Sequence, residues 1–148
     1  MAVATLEYNY IYTDDNVKES SSIVFGVKGT RDAHVGLFSD IKSSFINEPF
    51  YEIFIGGSLN TRLGIRKAGL LGSSTITIVT SSNVLSSSEL RFFWLTWANH
   101  NFSFGTGEVI GQQTLYNQHD LTSPMEINHL ALASYHGLSH TWKYHNGL

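Results

Sequence analysis

The chain contains no cysteine, which excludes disulfide staples, thiolate catalysis and cysteine-type zinc sites. It is also poor in charge. Asp, Glu, Lys and Arg make up 14% of its 148 residues, well below the usual quarter or so of a soluble domain. Neutral polar groups must finish the surface, and 18 Ser, 12 Thr and 10 Asn supply them. A net charge of −3 and a pI near 6.1 leave no positive field for phosphates, so nucleic acid is excluded as a partner. Long apolar runs are missing too. The longest, such as Phe92–Trp97, fall far short of the roughly 20 residues of a membrane helix. The opening Met1–Tyr12 carries Glu7 and no basic segment, so it does not read as a signal peptide. The expected setting is soluble: cytoplasmic, or secreted with the leader absent from this chain.

Catalytic signatures are equally absent. There is no HExxH for zinc, no GxSxG for a nucleophilic serine and no GxGxxG after a strand for a dinucleotide. No repeat of 20–50 residues appears, which weighs against propellers and trefoil-type lectins. Serines are so numerous that Ser/His/Asp combinations carry no information. Seven histidines invite a metal reading, and His136 and His140 stand four apart. Their segment Tyr135–His140 contains Gly137 and Ser139, so it reads as a turn, where helical ligand spacing has no meaning. Neutral imidazoles acting as hydrogen-bonding groups are the expectation there.

What the chain does have is 42% hydrophobic and 13% aromatic residues, enough for one packed core. The periodicity is that of strands. Ile23, Phe25 and Val27 alternate with Val24, Gly26 and Lys28 before the turn Gly29–Asp32. Val35 and Leu37 oppose His34 and Gly36; Tyr51, Ile53 and Ile55 oppose Glu52 and Phe54. Thr75–Thr80 is almost purely β-branched, and Arg91–Trp97 is apolar on both faces. Further strands are expected around Phe102–Phe104, Ile127–Leu132 and Thr141–Tyr144. Asp40–Phe45 makes a turn at most, and Asp14-Asp15 reads as part of a flexible terminus. The expected fold is all-β: an antiparallel β-sandwich of jelly-roll or galectin-like type with about ten strands. It forms a single domain over 1–148, with its core over about 23–144.

Polar side chains beside aromatics recur in the loops: Arg31–His34, Asn60–Arg62, Trp97–Asn101 and Tyr135–His140. This mixture suits sugars. Planar Asn, Asp, Arg and His groups pair with adjacent hydroxyls while an aromatic face covers the apolar C–H patch of the ring.

Several segments, in order, resemble a known family: Asp32–Leu37, Tyr51–Gly57, Asn60–Arg66, Phe93–Trp97, and Gly137 with Thr141-Trp142. Together they are similar to the domain named after farnesoic acid O-methyltransferase, over about 23–144. The name implies methyl transfer from S-adenosylmethionine. The usual methyltransferase needs an α/β sheet with a glycine-rich turn, and the sequence shows neither. The resemblance implies rather a β-sandwich recognition module, of which lectins are related-looking examples.

The expected function is therefore non-catalytic binding of a neutral glycan, with a galactose-type sugar as first candidate. The candidate ligand-binding residues are Asp32, His34, Asn60, Arg62, Trp97, Asn99, Tyr135, His136 and His140. Glu52 and Arg66, in neighbouring strands, form either an ion pair or part of the site. Asp32 is also a natural turn cap, and Asn60 a natural turn residue at positive φ. Trp94 and Trp97 point to opposite faces of one strand, and Trp97, nearer the loop, is the expected stacking platform. No cofactor is expected unless calcium takes part, through Asp32, Glu52 or Asp120. Partners are glycans or glycoproteins. Self-association is expected through a Thr/Ser-rich edge strand or the segment Tyr8–Tyr12. The alternatives are a protein-interaction module anchored by Tyr135 and Tyr116, and, further off, an enzyme.

Overall fold

The computed structural model describes residues 2–4, 11–16, 21–40, 49–69, 74–135 and 138–144, the first two segments as backbone only. Among the described residues twelve strands follow one another: β1 (Ala2–Ala4), β2 (Ile11–Asn16), β3 (Ser22–Lys28), β4 (Ala33–Phe38), β5 (Phe50–Gly56) and β6 (Arg62–Ala68), then β7 (Ser74–Thr80), β8 (Arg91–Thr96), β9 (Asn101–Thr106), β10 (Thr114–His119), β11 (His129–Ser134) and β12 (His140–Tyr144). They form two six-stranded sheets, ordered β1-β12-β3-β8-β9-β10 and β2-β11-β4-β5-β6-β7. Every pairing is antiparallel. Ten strands make the two five-stranded halves, and β1 and β2 extend one edge of each. The β-sandwich expected from the alternation is the fold.

Alternation explains the core. Phe25, Phe93, Phe104 and Trp142 from one sheet meet Val35, Leu37, Ile53, Ile55, Leu63 and Ile65 from the other, all essentially inaccessible. Phe25 lies 5.8 Å from Phe93 and 6.0 Å from Trp142, ring centre to ring centre, the tilted packing that quadrupoles favour.

Some elements differ from the sequence reading. Asp14-Asp15 lies within β2, not in a loose terminus; an edge strand hydrogen-bonded along one side tolerates charge. Strand β6 lies where Arg66 was expected beside the strand of Glu52, while β10 carries too little alternation to stand out. Trp97 is not a surface platform: it is 5% exposed and part of the main core. Trp94, on the other face, is also buried, and its indole N–H donates to the Gln112 carbonyl at 2.8 Å. Tyr116 stacks on Phe104 inside the sandwich, 5.4 Å between centres, so it is no surface anchor. Residues 41–45 of the expected turn at Asp40–Phe45, Tyr8–Tyr10 and His136 lie outside the described residues.

Candidate functional site

The outer face of the second sheet carries the site. Register places His34, Phe54, Gly64 and Ile78 in one row across β4, β5, β6 and β7. The next row holds Gly36, Glu52, Arg66 and Thr75. Gly64 is required here. A Cβ at that position would lie 2.2 Å from the Thr77 carbonyl oxygen and 2.8 Å from the Phe54 ring, so the missing side chain leaves the Phe54 ring room beside β6. The Arg66 guanidinium carbon is 5.4 Å from that ring's centre, a cation–π contact.

Beneath them Glu52 is fully buried and holds Arg66. Its Oε1 accepts from Arg66 Nε at 2.7 Å and from Nη2 at 2.5 Å. The other carboxylate oxygen lies 3.7 Å from His34 Nδ1. The expected ion pair is present, and through it Glu52 acts as a positioning residue for Arg66. Above these rows opens a pocket of about 300 Å³ lined by Asp32, His34, Phe54, Arg62, Arg66 and Tyr135, with Gly57, Ser58, Thr75 and Ile78 completing it.

The rim is built by strained loops. Asp32 takes φ +54° at the entrance to β4. Its backbone bridges two loops, the N–H donating to the Gly56 carbonyl and the carbonyl accepting from Tyr135 N–H, each at 3.1 Å. Its carboxylate meets Arg31 at 3.0 Å. Between β5 and β6 the chain makes one left-handed turn, with Ser58, Leu59 and Asn60 at φ +49°, +60° and +64°. Such residues are each disfavoured by roughly 1–2 kcal/mol. Asn60 fixes the turn, its amide donating to the Leu85 carbonyl at 2.9 Å and accepting from Leu85 N–H at 3.2 Å. Asn60 thus has both amide groups committed to backbone, and its role is to hold the turn that leads into Arg62.

The structure therefore brings Asp32, His34, Arg62, Arg66 and Tyr135 together, with Glu52 behind them. Other candidates lie elsewhere. His140 is buried, its ring nitrogens engaging Ser134 Oγ at 2.6 Å and the Arg31 carbonyl at 2.7 Å, so it braces the 29–32 turn and is not among the residues that line the pocket. Asn99 sits at φ +55° beyond the start of β3, where Trp97 N–H meets the Ser21 carbonyl. The pocket lies past the other end of that strand. The three carboxylates expected for calcium are apart: Asp32 pairs with Arg31, Glu52 with Arg66, and Asp120 with Lys67 at 2.8 Å and Tyr51 at 2.6 Å. Among the described residues no group of three or more His, Asp or Glu is placed to hold a metal ion. Sequence reasoning did not single out Phe54, which lines the pocket, although its place opposite Ile53 and Ile55 was the available signal. A larger hollow, about 490 Å³, lies between 82–84 and the β8–β9 end. Its Arg91 is tied to Glu89 at 2.9 Å, and none of the candidate residues reaches it.

Burial holds the His34 imidazole below its ordinary value near 6.5; Glu52 and Asp32 oppose this and Arg66 reinforces it. Burial likewise lowers His140, against the hydrogen bond to the Arg31 carbonyl. Both rings are neutral in the folded protein at neutral pH, while the unfolded chain takes up protons first on acidification. The stability they contribute is complete above the unfolded value and is lost as pH falls from there toward the folded values. The thermal midpoint is expected to be flat above about pH 7 and to fall steadily below about 6.5. A midpoint that is level or rises over that range, measured by calorimetry, contradicts this assignment.

The model of the family described as farnesoic acid O-methyl transferase matches residues 4–148. The chain belongs to this family. No curated protein is significantly similar to it. Among solved structures it is similar to the carbohydrate binding module CBM66 from Bacillus subtilis, with a TM-score of 0.67 at 10% identity, over 90% of this chain and 77% of that one. A double mutant of congerin II gives 0.62 at 9% identity, over 93% and 100%. The Caenorhabditis elegans galectin LEC-6 gives 0.57 at 6%, over 95% of each chain. At such identities the likeness is one of fold, and the fold is that of lectin-like β-sandwiches. The farnesoic acid O-methyl transferase name implies S-adenosylmethionine, whose sulfonium is cationic, and the pocket's donor set does not fit it. Asp32 and Glu52 are both engaged by arginines, while Arg62 and Arg66 line the walls.

Proposed function

We propose that this chain is a non-catalytic glycan-binding module and that the pocket over β4–β7 is its site. One observation carries the reading: a partly buried aromatic ring, Phe54, shares a pocket with Asp32, His34, Arg62 and Arg66. A hexose has two kinds of surface, and this pocket offers a match for each. The Phe54 ring suits the C–H face, while the guanidinium of Arg66, the Asp32 carboxylate and the neutral His34 suit hydroxyls. The preferred core sugar is a neutral hexose of galactose type, and no cofactor is needed. Single sites of this kind bind in the range of about millimolar to tens of micromolar. Useful avidity then comes from a homo-oligomer, for which the edge strand β7, STITIVT, is the proposed contact.

The test is a glycan array probed with wild type and Phe54→Ala, each with calcium and with EDTA. Hits sharing one terminal sugar, unchanged by EDTA and lost in Phe54→Ala, are expected. A silent array with folded protein contradicts the proposal. Leu59, 75% exposed on the left-handed turn, and Tyr135, 42% exposed, favour a second reading as a protein-binding surface. Capture of a partner undiminished by excess free sugar distinguishes that reading.

A further inference from the structure

The charges around the pocket pair off unequally. Glu52 holds Arg66 from below, and Arg31 holds Asp32 at the rim. The Arg62 guanidinium lines the same pocket and makes no ion pair or hydrogen bond among the described residues. Its backbone is nonetheless held on both sides, by Thr80 of β7 and by a bridge to Gly57. The left-handed turn before it is fixed through Asn60 and Leu85. Among the described residues, a chain of net charge −3 therefore presents at this pocket a cation without an ion pair, carried on a backbone that is held in place.

We infer that Arg62 is a specificity residue for a single anionic substituent, carboxylate or sulfate ester, on the glycan that the pocket binds. This rests on the glycan reading above and deepens it. The guanidinium's planar fork matches two oxygens of either group. Arg66 already faces Glu52 and Asp32 already faces Arg31, so one negative charge on the ligand answers Arg62, whereas a neutral ligand leaves it to solvent. The Ser58 and Thr75 hydroxyls in the lining offer further donors to such a group. Asn60 serves this function as a positioning residue, because releasing the turn lets Arg62 wander.

The experiment is calorimetric titration with matched sugars: a neutral hexose glycan, the same glycan with a carboxylate, and the same glycan with a sulfate. Wild type is expected to bind at least one acidic form about tenfold more tightly than the neutral parent, with the ratio shrinking as salt rises. In Arg62→Gln the acidic-to-neutral ratio is expected to fall to about one, and Arg62→Lys to retain part of it, since charge survives but the fork does not. Asn60→Ala is expected to reduce the ratio in between. Equal affinity for all three sugars in wild type overturns the inference while leaving the glycan site standing. So does an acidic preference that survives in Arg62→Gln. Failure to bind any of the three, by folded protein that is also silent on the array, overturns the glycan reading itself.

Discussion

Glu52→Gln is expected to lower the thermal midpoint by roughly 6–12 °C and to weaken glycan binding about tenfold. The carboxylate is fully buried and the side chain of Arg66 is only 27% exposed. Breaking a buried pair by neutralising one member leaves the other charge stranded, at a cost of about 3 kcal/mol, the lower end for such pairs because Arg66 reaches water. At about 2–4 °C per kcal/mol for a chain of this size, that gives the stated range. The binding loss has a separate origin. A neutral amide oxygen holds Nε and Nη2 less firmly than the carboxylate does, so Arg66 is no longer fixed over Phe54 and a hydroxyl-binding group loses its set position. A variant with an unchanged midpoint shows that the pair is not a structural member of the sheet. One that melts lower yet binds normally shows that Arg66 is not a ligand group.

Gly64→Ala is the second large effect. The added methyl would meet the Thr77 carbonyl oxygen at 2.2 Å, the Phe54 ring at 2.8 Å and the Ile78 Cα at 3.1 Å. Two of these three are backbone, so no rotamer change relieves them. Either β7, an edge strand of its sheet, peels outward or β6 twists. Overpacking of this kind costs about 3 kcal/mol, again a midpoint lower by roughly 6–12 °C. Because Phe54 is displaced from its seat, binding is expected to vanish together with the stability loss. Phe54→Ala separates the two consequences, losing binding with a much smaller change in midpoint, since the ring is only partly buried. Gly64→Ala that melts and binds like wild type contradicts the account of the pocket floor.

The sandwich was legible because period-2 alternation is a local signal. Val35 and Leu37, or Ile53 and Ile55, declare an inner face without reference to anything distant. Asp32, His34, Arg62 and Tyr135 were legible as candidates because they stand at loop and strand junctions, where ligands are met. What stayed hidden depends on register between strands far apart in sequence. Phe54 comes to line the pocket only because Gly64, ten positions later, lies beside it on β6. Trp97 looked like a platform because it follows a strand, yet the chain after it turns back through Ala98–His100 and leaves the indole inside. His140 looked like a loop ligand, and it is a brace because Ser134 and Arg31, six and 109 positions away, converge on its two nitrogens. Asn99 lies away from the pocket for a topological reason: its loop belongs to the opposite end of the sandwich.

The central claim is that the outer face of β4–β7 is the sugar site. The most direct test is a two-dimensional NMR titration of isotopically labelled protein with the tightest sugar from the array. Shift changes that saturate together and cluster at His34, Phe54, Arg62, Arg66 and Tyr135 are the expected result. Changes confined to the other end, around Asn99, His100 and Asp120, or to the Arg91 hollow, contradict it.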